Sequence, residues 1–83
     1  MTLSVEFVDP RYFARMCLSL GDEPAVEITL RDDTDEPHGP FGGCARFIEN
    51  EDGVVTVILT EVTDPEKLVI GVYLDAIKTM VLP

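Results

Sequence analysis

Asp32, Asp33, Asp35, Glu36 and His38 form the one group in this 83-residue sequence with metal-ligand character. Oxygen-rich loops of this kind bind calcium when their carboxylates converge on one ion. The spacing here is not that of an EF-hand, and no glycine occupies the sharp-turn position such a loop requires. The carboxylates are therefore read as a solvated acidic loop, with no metal and no cofactor expected. His38 is the single histidine, so imidazole acid–base chemistry would have to use it. Flanked by Pro37 and Gly39, it has little to hold it in one orientation. Cys44, in Gly-Gly-Cys-Ala-Arg, lacks the glycine two places on that a nucleophile elbow needs. The carboxylate pairs Asp22-Glu23, Asp32-Asp33 and Glu51-Asp52 sit on turns, where adjacent side chains point apart. No nucleophile, base and orienting group come together, and no enzyme activity is expected.

The elements that must position these residues are clearest at Phe41 to Val62. There, two apolar and β-branched runs are separated by Asn50-Glu51-Asp52-Gly53. A type I turn with Gly53 in the left-handed conformation pairs Asn50 with Val54 and sets the register of the whole hairpin. Glu49 then faces Val55, Phe47 faces Val57 and Ala45 faces Leu59, on a core face. Ile48 faces Thr56, Arg46 faces Ile58 and Cys44 faces Thr60 on the other face. That second face mixes Ile48 and Ile58 with polar residues, so it is either half covered by another element or open to a partner.

Upstream, Leu3, Val5 and Phe7 alternate with Ser4 and Glu6 as in a half-buried strand. Asp9 is a good N-cap and Pro10 suits the first helical position. Tyr12, Phe13, Met16, Cys17 and Leu20 follow at helical spacing up to Gly21, and are expected to be the buried side of a short helix. Val26, Ile28 and Leu30 alternate with Glu27, Thr29 and Arg31, predicting a strand with one wet face. From Asp32 to Gly43, two prolines, three glycines and four acids predict a loop. Beyond Asp64-Pro65 two readings compete. A C-terminal helix would bury Leu68, Val69, Val72, Tyr73, Ala76, Ile77 and Met80, but it would contain Gly71, expose Ile70 and Leu74 and carry many β-branched residues. Strands at Leu68 to Leu74 and Ile77 to Leu82, turning at Asp75-Ala76, are preferred.

A chain of 83 residues supports one core, so residues 1–83 are read as one domain. With 46% hydrophobic and 27% charged residues the composition is that of a folded protein. Sixteen acids against six bases leave a net charge of −10, and the six cations are scattered along the chain. Binding to nucleic acid or to an anionic membrane is disfavoured and a basic protein partner is favoured. Acidity that only keeps the protein soluble explains the charge equally well. Two cysteines without CxxC spacing, one on the expected buried side of the helix, predict reduced, packed thiols. Neither a signal-peptide pattern nor a long apolar run stands out, and a cytoplasmic location is expected.

The sequence of a short helix, a strand, a glycine-bearing strand entering a hairpin, and the closing segment from Val72 to Pro83, VYLDAIKTMVLP, resembles a small SH3-like barrel of the Sm-like kind. The overall class expected is α+β, mainly β with one short helix in the N-terminal half and about five strands, against the βαβββα alternative with a C-terminal helix. In this resemblance Gly42-Gly43 falls where such barrels bend sharply. The nucleic-acid residues of Sm-like proteins do not carry over, because Glu51-Asp52-Gly53 and Leu74-Asp75-Ala76 stand at the two places that matter. The resemblance implies edge strands that pair between copies, hence a homo-oligomer.

Two non-enzymatic functions follow. One is a protein-interaction or assembly module that uses its strand edges and the face around Ile48 and Ile58. The other is an acidic inhibitor, such as an immunity protein, an antitoxin-like partner or a nucleic-acid mimic. In that case Asp32, Asp33, Asp35, Glu36, Glu49, Glu51 and Asp52 occupy a cationic groove on a basic protein.

Overall fold

The computed structural model describes residues 6–33 and 37–83. Six strands, β1 (Glu6–Val8), β2 (Ala25–Leu30), β3 (Phe41–Glu49), β4 (Val55–Glu61), β5 (Asp64–Tyr73) and β6 (Ile77–Leu82), form one antiparallel sheet in the order β1-β6-β2-β3-β4-β5. The expected first strand is present as β1 from Glu6 onward; Leu3 and Val5 lie outside the described residues. One helix, α1 (Pro10–Leu20), links β1 to β2. Its ends form as the residue types require. The Asp9 side chain accepts a hydrogen bond from the Arg11 amide, and Gly21 closes the helix at φ 72°.

Residues 64–73 and 77–82 are strands, and the C-terminal helix alternative is excluded. A single 3₁₀ turn at Leu74–Ala76 separates β5 from β6, where a tight turn was expected. β5 starts at Asp64, four residues before the expected Leu68, because Asp64 pairs with Glu61; the register then shifts, and pairing resumes at Leu68 with Thr60. Likewise Phe41, Gly42 and Gly43 belong to β3 rather than to the preceding loop, since they pair with Ile28, Glu27 and Val26.

The β3–β4 register is the expected one at every pair from Cys44↔Thr60 to Glu49↔Val55. Gly53 has φ 80°, and the Asn50 amide donates to the Val54 carbonyl at 3.0 Å. Alternation then sorts the side chains. Ala45, Phe47, Val55, Val57 and Leu59 are buried, joined by Ile28 and Leu30 of β2, Val72 of β5, and Ile77 and Met80 of β6. No polar or charged residue is buried among the described residues.

The helix covers this core through a face that only partly matches the expected one, which Phe13 and Cys17 share and Tyr12, Met16 and Leu20 do not. Ala14 and Cys17 are buried and Phe13 and Leu18 pack at their sides, whereas Tyr12, Met16 and Leu20 are exposed. The Phe13 ring meets Phe47 edge-on, with centroids 6.3 Å apart. A helix lying against a sheet approaches most closely where its side chains are small, and Ala14 and Cys17 supply that contact. No helix among the described residues is long and apolar enough to cross a membrane.

Candidate functional site

α1 packs on the core side of the sheet, and among the described residues no helix or strand covers the opposite side of β3, β4 and β5. Its residues lie in rows set by the register. Ile48, Thr56 and Tyr73 form one row, and Arg46, Ile58 and Gly71 form the next. Ile48 and Tyr73 are exposed, at 45% and 65%, and Ile58 is half-buried between the two outer strands. Gly71 leaves open space beside Ile58, since a Cβ there would meet nothing within 4 Å. A shallow depression adjoins this patch, lined by Cys44, Arg46, Ile58, Thr60, Pro65 and Glu23. Arg46 is held at its rim by the Glu23 carboxylate, 2.7 Å away. The face that the hairpin register singles out is thus an apolar strip, Ile48–Ile58–Tyr73, with the exposed Arg46–Glu23 ion pair at one side.

The acidic residues are distributed differently. Glu51 and Asp52 are exposed at the hairpin tip, which is braced by the Asn50 side-chain oxygen accepting from the Asp52 and Val54 amides. Asp32 and Asp33 are exposed just after β2, where Asp32 pairs with Lys78 at 3.5 Å and Asp33 with Arg31 at 3.1 Å. Asp35 and Glu36 lie outside the described residues. Glu49 pairs with Arg15 of α1. The hydrogen bond from that guanidinium holds the Glu49 carboxyl below its usual range, against a smaller opposing effect of burial.

All six cations of the chain make such pairs, the others being Arg11–Asp75 and Lys67–Glu61. Three of the seven carboxylates expected to face a cationic groove, Asp32, Asp33 and Glu49, are therefore already matched within the chain.

Among the described residues the candidates for chemistry are not gathered. His38 is exposed, and its role in the fold is a main-chain one, its carbonyl accepting from the Leu30 amide at 2.7 Å. No group of three or more His, Cys, Asp and Glu among the described residues could hold a metal ion. Both cysteines are free thiols. Burial, with the nearby Asp22 charge, pushes the Cys17 thiol up and keeps it protonated.

Two features escaped the sequence reading. Tyr73, taken with either a helix stripe or a strand end, joins Ile48 and Ile58. β5 is an edge strand, and Leu68 on it is 62% exposed. No protein-family model, no curated protein and no solved structure matches this chain.

Proposed function

We propose that this chain is a non-enzymatic protein-interaction module of the cytoplasm, a small barrel of the Sm-like kind that binds through the outer face of β3, β4 and β5. The observation that carries this reading is the uncovered apolar strip Ile48–Ile58–Tyr73 on a sheet whose other side is closed by α1. A few adjoining exposed apolar residues on a rigid sheet, rimmed by an ordered ion pair, are the composition of a contact surface rather than of plain solvated surface. Support for the barrel type comes from the position of β6 beside β2, the helix ahead of the first of these strands, the 3₁₀ turn between the last two, and the close approach at Gly43. The acidic-inhibitor reading loses support from the internal pairing of Asp32, Asp33 and Glu49.

Capture from native lysate at low and high salt, with wild type and Ile58→Glu side by side, tests the proposal. A partner retained at high salt by the wild type and lost by the variant supports it. Partners that leave at high salt and ignore the variant would restore the inhibitor reading.

A further inference from the structure

Resting on that reading, the geometry points to the kind of chain that docks here: we infer that the free edge of β5 takes up an extended protein segment, apolar in its middle and basic at both ends, as a seventh strand. An edge strand offers alternate N–H and C=O groups with no partner, and proteins ordinarily guard such edges with charge, proline, irregular pairing or brevity.

The two edges of this sheet differ in that protection. Among the described residues β1 contributes only Glu6–Val8. β5 has ten residues, and its guards lie only in the first part: Pro65, Glu66 and Lys67, with the register shifted between Leu59 and Glu61. From Leu68 to Tyr73 the edge has neither charge nor proline, and it pairs regularly with β4 at Ile70, Gly71, Val72 and Tyr73. Leu68 and Tyr73 project from it largely exposed, and the Gly71 gap beside Ile58 makes room for an incoming side chain. Six uncharged residues on an open edge are a hazard for aggregation unless the edge is meant to be filled.

Charge selects the occupant. Asp64 and Glu66 stand at the start of the strand. At its other end the hairpin tip carries Glu51 and Asp52; the adjacent Gly53, Val54, Val55, Tyr73 and Leu74 line one pocket with Arg11 and Arg15, whose charges are matched by Asp75 and Glu49. None of Asp64, Glu66, Glu51 and Asp52 is in an ion pair among the described residues, while every cation of the chain is. A second copy of this chain brings a charge of −10 to the same place and is opposed. A segment with Lys or Arg at both ends is drawn in, and the exposed Tyr73 ring offers one of those cations a face.

Synthetic peptides test this without altering the protein. The probe alternates valine and threonine over the length of Leu68–Tyr73 and carries lysines at both ends; its control carries glutamates. Two further versions are methylated on alternate backbone nitrogens, one in each phase, because strand addition uses the N–H groups of one phase only. The inference expects the lysine-ended peptide to shift the amide resonances of Leu68–Tyr73. It expects the glutamate-ended control to bind at least roughly tenfold more weakly at low salt, and one methylated phase to lose at least roughly tenfold while the other keeps its affinity.

Absence of binding by the lysine-ended peptide, equal behaviour of the two methylated phases, or a dimer joined through β5 in sedimentation would overturn it. A native partner that is sensitive to Ile58→Glu and is not displaced by the peptide removes the edge site and leaves the outer-face proposal standing. A partner indifferent to Ile58→Glu but displaced by the peptide does the reverse.

Discussion

Gly43 on β3 lies so close to the main-chain carbonyl of Thr60 on β4 that a Cβ at that position would overlap it. The contact sits where β3 passes from its pairing with β2, at Phe41–Cys44, to its pairing with β4, at Cys44–Glu49. Backbone atoms cannot move aside as a flexible side chain can, so Gly43→Ala is expected to cost about 2–3 kcal/mol. Gly42→Ala places its Cβ 3.9 Å from the Val26 carbonyl, an ordinary contact. That change is expected to be neutral or stabilising by up to about 1 kcal/mol. Midpoints of chemical denaturation for the two variants check the contrast.

The orientation of α1 yields a second pair. Ala14 is fully buried, so Ala14→Leu overfills the contact with the sheet and is expected to destabilise by about 1–3 kcal/mol. Tyr12 is 70% exposed, and Tyr12→Ser is expected to stay within about 0.5 kcal/mol of wild type. Thermal unfolding of both variants decides which face of the helix is inside.

These outcomes bear on what could be read from the residues alone. The hairpin was legible because the Asn50-to-Gly53 turn sets a count, and once the count is set alternation assigns every side chain to a face. The helix face was legible only in part, at Phe13 and Cys17, because two stripes share one helix. Tyr12, Met16 and Leu20 are the larger residues, yet closeness to a sheet favours small ones such as Ala14 and Cys17. The start of β5 was hidden by Asp64-Pro65, which reads equally as a helix start. The proposed interaction surface was half legible. Ile48 and Ile58 follow from the hairpin, while Tyr73 and the open edge depend on which strands end as neighbours. The pairing of Asp32 with Lys78 likewise depends on β2 and β6 lying side by side.

The hairpin tip supplies a third prediction. Gly53 holds φ 80°, and the Asn50 side chain accepts two amide hydrogen bonds. Gly53→Ala is expected to cost about 1–2 kcal/mol through the left-handed conformation, and Asn50→Ala about 1 kcal/mol. Equilibrium unfolding checks both, and reduced protection of the hairpin amides in hydrogen exchange locates the effect.

The Arg15–Glu49 pair makes stability depend on pH. The folded-state carboxyl titrates below its ordinary value of 4.5, so its contribution is present above that value and is lost as pH falls through the lowered one. Unfolding midpoints of wild type and Glu49→Gln are therefore expected to differ near neutral pH and to converge on acidification. The pair is solvent-exposed, so the difference shrinks in high salt.

Whether the outer face is the surface that binds is measured most directly by affinity for the partner captured from lysate. Calorimetric titration should compare wild type, Ile58→Glu and a variant with Asp32, Asp33, Asp35 and Glu36 changed to their amides, with circular dichroism confirming that all three are folded. The account predicts a loss of at least roughly thirtyfold for Ile58→Glu, the scale of a central contact residue, and a change of less than about threefold for the amide variant. A partner that tolerates Ile58→Glu and is lost with the loop carboxylates would contradict it.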